Sequence, residues 1–211
     1  MIRVVQQPEP ASFGAMVRAP GARFLAKNPR PSSRQFGRHR FWTRSGNDVY
    51  QRYSRICAYT SIYLVPTTSC PNGSVDHFLP KSRYPRLAYE WSNFRLASPI
   101  ANMRKDSSEA IIDPFEVREG WFELDFPSCL VRPGGSLPPA RRQIAESTIG
   151  ILKLNDDDDL VQKRCDLALL LAQGAVSLAF VKEKSPFVGL EIERQGLLTT
   201  LGDLFKQPGP P

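Results

Sequence analysis

Asp76 and His77 stand side by side, and His77 is one of only two histidines among the 211 residues. Histidine has an ordinary pKa of about 6.5, so it can act as a general base near neutral pH without a large shift. Asn93, Asn102 and Lys105 follow in the same stretch, residues 73–106. These residue types suit hydrolysis of a phosphodiester, which needs a base for the attacking water and a cation beside the phosphate oxygens. One carboxylate and one amide oxygen, completed by water, suit Mg²⁺ or Mn²⁺.

The surrounding sequence predicts a hairpin followed by a helix. The run "SIYLVP" is rich in β-forming residues, "PNG" at 71–73 is typical of a turn, and "SVDHFLP" is typical of a second strand. We expect the two strands to pair across the turn, with Asp76 and His77 on the second. A short helix is expected from about residue 101, where it would carry Asn102 and Lys105, and an earlier helix is predicted over residues 47–56.

The motifs "VDHFLPKS", "WSNFRLA" and "ANMRKD" resemble those of the HNH nuclease family, in its order and close to its spacing. The resemblance implies a ββα-metal module, in which a strand pair and a helix hold a divalent metal. It assigns Asp76 to the first metal ligand, His77 to the general base and Asn102 to the last metal ligand. It implies that Asn93 ties the loop to the hairpin backbone. Lys105 matches a basic residue that commonly follows, and we expect it to contact nucleic acid.

Many HNH relatives bind a structural zinc ion with two CxxC pairs, and this chain departs from that pattern. Its four cysteines stand at positions 57, 70, 129 and 165, without a CxxC pair. We therefore expect reduced thiols, no structural zinc and a scaffold held together by core packing.

The longer pattern of "ICAYT", "AYEWSN", "DPFE" and "WF" is similar to HNH nuclease subunits of bacterial anti-phage systems, including Septu-like and retron-associated ones. This resemblance implies cleavage of DNA during defence against phage, with an ATPase or sensor protein as a partner. Two other possibilities stay open. The chain could bind DNA or protein without cutting, or it could be an interaction subunit that docks on an ATPase through its C-terminal helices.

Positive charge is concentrated at the N-terminal end. Residues 1–55 contain eleven Lys and Arg against two acidic residues, while the whole chain has a net charge of +7. Such a segment can follow a phosphate backbone, or it can be a solvated arm that raises solubility. The arm residues that we expect at nucleic acid are Arg34, Arg38, Arg40 and Arg44. Lys81 and Arg83, just after the second strand, could contact phosphate or could be ordinary solvated charges.

The clearest boundary along the chain is the stretch "RPGGSLPP". Before it, "WFELDFPSCLVRP" predicts a strand pair or a bent strand at 120–132; after it, the apolar spacing becomes helical. The acidic run at 156–159 is expected to cap a helix, and one more helix is expected near the C-terminal end. We expect an α+β protein with an irregular basic Pro/Arg-rich arm (1–46), an HNH core of the ββα-metal type (47–132) and a helical C-terminal region (133–211).

No stretch approaches the ~18 uninterrupted apolar residues of a membrane span. The first residues also lack the charged-then-apolar order of a secretory signal. We therefore expect a soluble, cytoplasmic protein with no membrane partner.

Overall fold

A computed structural model describes residues 1–135 and 137–205 of the chain. Ser136 of the predicted linker and residues 206–211 of the predicted C-terminal region lie outside these residues. The described residues form an α+β fold, which combines helices with two separate pairs of antiparallel strands. Within these ranges, no helix is long and apolar enough to cross a membrane.

The basic N-terminal segment contains helices, so the prediction of an irregular arm is wrong in its secondary structure. The helices are α1 (Ala19–Lys27), α2 (Ser33–Arg38) and α3 (Gly46–Arg52), the last of which confirms a helix predicted near 47–56. Pro20 is the second residue of α1, which continues directly from a π-helical turn at Gly14–Arg18. Ser32 begins α2 with a capping box that it shares with Gln35.

Asp76 and His77 belong to a unit of two strands and a helix. Strand β1 (Ser74–His77) pairs antiparallel with β2 (Phe94–Ala97), and α4 (Pro99–Lys105) follows after one residue. Helix α4 confirms the short helix that was predicted to carry Asn102 and Lys105. Ser98 caps it by accepting a hydrogen bond from Ala101 N at 3.1 Å.

The sequence predicted the wrong pairing partner for β1, the strand that carries Asp76 and His77. Residues 61–66 do not pair with β1; they contribute the isolated bridge between Ile56 and Tyr63. The sequence failed to indicate β2 because all four of its residues are buried, which removes the alternation of a half-buried strand. Arg95 is among them, and its charge is compensated internally by Asp113 at 2.6 Å.

The hydrophobic interior has two clusters. The first, here called the N-terminal core, is rich in aromatic side chains and joins the N-terminal helices to the β1–β2 pair. It includes Phe13, Phe24, Phe36, Trp42, Tyr50, Tyr89, Trp91, Phe94 and Leu96. Helix α1 approaches this core closely at Gly21, where a Cβ would lie 2.2 Å from the Tyr89 ring. The basic segment is therefore packed against the strands rather than held apart from them.

The second cluster, here called the C-terminal core, is mainly aliphatic and includes Ile112, Leu124, Leu152, Val188 and Ile192. Strands β3 (Phe122–Asp125) and β4 (Leu130–Pro133) pair antiparallel, so of the two alternatives predicted at 120–132 the strand pair is correct. The later helices are α5 (Pro139–Ile151), α6 (Asp158–Ala172), α7 (Leu178–Lys184), α8 (Pro186–Arg194) and α9 (Leu201–Leu204).

The helix cap predicted at the acidic run is confirmed, whereas the single helix predicted near the C-terminal end is wrong. Asp157 caps α6, because its Oδ1 accepts a hydrogen bond from Leu160 N at 3.1 Å, as expected for the acidic run. The single helix predicted near the C-terminal end is instead divided. The predicted range, 185–205, contains α8 and α9, and α8 ends before Gly196, whose positive φ of 67° is typical of a residue that follows a helix.

Candidate active site

Asp76, His77 and Asn102 line one cleft with a volume of about 1060 Å³. The end of β1 supplies the first two residues, and α4 supplies Asn102. Further walls come from α2 and from the 3₁₀ turn Phe41–Ser45, both in the basic N-terminal segment. The segment that was predicted to be an arm is therefore part of the cleft.

The His77 imidazole is held in one orientation. Its Nε2 lies 2.8 Å from the carbonyl oxygen of Ala88, and a carbonyl can only accept, so Nε2 carries the hydrogen. Trp42 and Phe94 contact the ring edge-on, with ring centroids 4.9 and 5.3 Å away. This arrangement leaves Nδ1 as the ring nitrogen that can take up a proton.

The environment of His77 differs from the ordinary one assumed from the sequence. Burial lowers its pKa to about 3, and the Lys81 ammonium adds to this effect while the bond to the Ala88 carbonyl opposes it. The imidazole is therefore neutral across the physiological pH range. A neutral ring keeps a free electron pair, but the lowered pKa also makes His77 a weaker base than an ordinary imidazole.

Asp76 is buried beside His77, with 3% of its surface exposed. Its Oδ2 accepts a hydrogen bond from the Tyr59 hydroxyl and lies 3.4 Å from the Lys105 ammonium. Burial raises the pKa of Asp76, and Lys105 and Tyr59 act in the opposite direction. Both partners use the same carboxylate oxygen, which leaves Oδ1 for another ligand.

Lys105 does not have the surface role that the sequence suggested. Its side chain is completely buried, and its Nζ donates to the His77 carbonyl oxygen at 2.9 Å. The predicted contact with nucleic acid must be corrected, because the ammonium is enclosed and already has internal partners. Lys105 is an internal cation beside Asp76.

Asn102 presents an oxygen in the same cleft. Its Nδ2 donates to the Ser74 hydroxyl oxygen at 2.5 Å, which fixes the amide and leaves Oδ1 without that bond. Carboxylate and amide oxygens are the donors that hard divalent cations prefer, and Mg²⁺ commonly keeps several waters in addition. The donor types of Asp76 and Asn102 therefore suit Mg²⁺ or Mn²⁺, and both residues line the cleft.

A metal site built from several acidic or thiol side chains is not found in the described residues. Across residues 1–135 and 137–205, no group of three or more His, Cys, Asp or Glu side chains is placed to hold a metal ion. The four cysteines are free, with Cys57 and Cys129 buried. A metal held by Asp76 and Asn102 would need water or a phosphate to complete its coordination.

Asn93 connects the loop after β1 to the strand pair. Its Oδ1 accepts from Leu79 N at 2.8 Å, and its Nδ2 donates to the carbonyl oxygens of Leu79 at 3.0 Å and Leu87 at 3.2 Å. Leu87 immediately precedes Ala88, the partner of His77. Asn93 is itself buried and lies away from the cleft lining. Its contacts make it a residue that positions the loop rather than one that touches a substrate.

The remaining basic candidates differ in their access to the cleft. Lys81 lines the cleft, with its ammonium 5.4 Å from the centre of the Trp42 ring, and Arg40 also lines it. Arg83 is exposed but forms an ion pair with Glu109 at 2.7 Å. The other three arm arginines, Arg34, Arg38 and Arg44, are exposed and lie outside the lining. Arg44 also donates to the Met16 carbonyl oxygen at 3.1 Å.

Three residues of the site were not identified as functional candidates from the sequence: Tyr59, Ser74 and Trp42. Ser74 could have been found, because residues 74 and 76 of a strand face the same side. Trp42 belongs to the N-terminal core and also contacts His77. Tyr59 had no local signal, since its partner Asp76 comes from a distant part of the chain.

Two comparisons of the sequence with known proteins found no match. No protein-family model matches the chain, and a search of curated proteins returned no significant match.

Proposed function

We propose that this chain is a metal-dependent endonuclease of the HNH type that hydrolyses phosphodiester bonds of DNA. The observation that carries the proposal is the orientation of His77. Its Nε2 is bonded to the Ala88 carbonyl, which leaves Nδ1 as the nitrogen that can act as a base, and His77 lines the same cleft as Asp76 and Asn102. The order of β1, β2 and α4 agrees with the module that the sequence resemblance implies.

In the proposed hydrolysis, each of these residues has a separate role. Nδ1 of His77 takes a proton from water, whose oxygen attacks the phosphorus as the bond to the leaving sugar oxygen breaks. Asp76 and Asn102 would hold Mg²⁺ or Mn²⁺, which supplies positive charge to the phosphate and to the leaving oxygen. Lys81, on the cleft wall, offers a further positive charge to the phosphate. Asn93 keeps the loop in place so that Ala88 can orient His77.

The proposed substrate and the proposed biological role are supported by different observations. The exposed arginines near the cleft suit a polyanion such as DNA, since neutralised phosphates release counterions. A role in bacterial defence against phage is proposed on the sequence resemblance alone.

The direct test is nicking of a supercoiled plasmid by the purified chain in Mg²⁺ or Mn²⁺, with EDTA as the metal-free reaction. We expect open-circular DNA with metal and none with EDTA. Asn102→Ala should need several-fold more metal for half-maximal activity, because it removes one ligand oxygen. The matched control is Asn47→Ala, on the exposed part of α3, which should behave as wild type.

A non-cleaving interaction subunit is the second candidate, and one observation favours it. Apolar side chains of the C-terminal region are exposed, among them Phe180 (39%), Leu190 (43%) and Leu198 (53%). Such a surface suits docking on a protein such as an ATPase. DNA binding without nicking in either metal would indicate a non-cleaving DNA-binding chain, whereas absence of both activities would contradict the nuclease proposal and favour the interaction subunit.

A further inference from the structure

Lys105 is a buried charge that the proposed reaction does not use. Its side chain has no exposed surface, and its ammonium lies 3.4 Å from Asp76 Oδ2 and 2.9 Å from the His77 carbonyl oxygen. Asp76 is itself 3% exposed and is one of the two residues that would hold the metal. The chain thus places a fixed positive charge directly beside a proposed metal ligand.

We propose that Lys105 is an internal competitor for the metal: its ammonium compensates Asp76 before a divalent cation binds and lowers the affinity of the site for that cation. This inference rests on the proposed function, because it concerns the same Asp76 and Asn102. A divalent cation at Asp76 would share the carboxylate with the ammonium. The two positive charges would also repel each other, because buried surroundings screen charge less than bulk water does.

A purely structural role for Lys105 makes a different prediction. If the ammonium only stabilises the fold by pairing with Asp76, its removal should destabilise the protein without improving metal binding. If it competes with the metal, its removal should destabilise the metal-free protein and tighten metal binding at the same time. Metal affinity is therefore the measurement that distinguishes the two roles.

Three variants separate charge from shape. Lys105→Met keeps an unbranched side chain of similar length and removes the charge. Lys105→Arg keeps the charge. Tyr59→Phe removes the other hydrogen bond to Asp76 Oδ2 without changing any charge, so it is the control for a loosened carboxylate.

The experiment is calorimetric titration of the full chain with Mn²⁺, in the absence of DNA. Lys105→Met should bind Mn²⁺ at least about tenfold more tightly than wild type, because the repulsion is gone. Lys105→Arg and Tyr59→Phe should stay within about threefold. Adding Asp76→Asn to Lys105→Met should abolish the gain, since the carboxylate that receives the metal is then absent.

Thermal denaturation supplies a second readout. Lys105→Met should melt below wild type without metal and should gain more from Mn²⁺ than wild type does, because binding to the folded form stabilises it. If Lys105→Met does not fold, Lys105→Gln replaces it, as its amide N–H can still donate to the His77 carbonyl. Failure of both to fold at any Mn²⁺ concentration would show that the ammonium is required by the fold and would overturn the proposal.

Failure of this inference can be told apart from failure of the proposed function. Equal Mn²⁺ affinity in wild type and Lys105→Met, in a protein that nicks plasmid with Mn²⁺, overturns the competition alone. No Mn²⁺ binding by any variant overturns both the competition and the metal site. Tighter binding by Lys105→Met in a protein that nicks nothing supports the competition and contradicts the nuclease.

Discussion

The basic residues around the cleft fall into two groups that differ in burial. Arg40 and Lys81 line the cleft, and Arg34, Arg38 and Arg44 lie exposed on the neighbouring segment. Lys105 and Arg95 are buried, and their charges are compensated by Asp76 and Asp113. Residues of one chemical type therefore serve two purposes: the exposed group is available to a polyanion, and the buried group organises the strands that carry Asp76 and His77.

The largest effect on stability is expected at Arg95. Its guanidinium donates to Asp113 at 2.8 and 2.6 Å and to the carbonyl oxygens of Ser92 and Phe94, so all of its main partners are internal. Arg95→Met should lower the free energy of unfolding by about 3–5 kcal/mol, because Asp113 is left without its cation. Urea denaturation measures this change.

An exposed arginine outside both groups, Arg86, supplies the control for that prediction. Arg86→Met removes an equal charge from an exposed position and should change the free energy of unfolding by less than about 0.5 kcal/mol. If Arg95→Met and Arg86→Met lower the free energy of unfolding equally, the burial of a basic residue makes no difference to its contribution to stability.

A smaller loss of stability is expected at Asn93, which is buried but uncharged. Asn93→Ala removes three hydrogen bonds to the backbone of the loop and should destabilise the protein by about 1–3 kcal/mol. Nicking activity should fall with it, because the loop that orients His77 is released. Asn47→Ala, which is exposed, is the matched control in the same denaturation experiment. A variant that keeps full stability but loses activity would place Asn93 at the substrate instead.

The smallest effect per residue is expected from the exposed arginines. Replacing Arg34, Arg38, Arg40 and Arg44 by alanine should weaken binding to all DNA sequences alike and leave the free energy of unfolding nearly unchanged. The slope of log affinity against log salt should become shallower by up to about 0.9 for each duplex phosphate that the variant no longer neutralises.

A control of equal charge tests whether position matters. The exposed residues Arg3, Arg52, Arg118 and Arg141 are replaced in the same way, which gives the same change in net charge. This control should retain most of the wild-type salt slope. Identical slopes for the two fourfold variants would mean that the segment beside the cleft has no special role in binding DNA.

Features set by local chemistry could be predicted from the sequence. Helix α4, the β3–β4 pair and the cap at Asp157 all depend on residues close together in the chain. The pairing of β1 could not be predicted, because β2 is buried at every position and carries a buried arginine. Its hydrophobic pattern therefore resembles neither a half-buried strand nor an amphipathic helix.

The candidate site shows the same division. The residue types at positions 76, 77 and 102 were found, and the structure brings them to one cleft. Their surroundings could not be predicted, since Tyr59, Ala88 and Trp42 reach Asp76 and His77 from other parts of the chain. The burial of Lys105 likewise depends on a bond to a residue 28 positions earlier. Sequence reasoning therefore identified the chemical groups but not their access to solvent.

The central claim is that His77 is the base of a nuclease site, and single-turnover plasmid cleavage by His77→Ala tests it most directly. Loss of a general base should reduce the rate by about 10²–10⁴-fold relative to wild type in the same Mg²⁺ or Mn²⁺ buffer. Circular dichroism and thermal denaturation of the same sample establish that the variant is folded. Cleavage by folded His77→Ala within about threefold of the wild-type rate would contradict the assignment of His77 and, with it, this account of the cleft.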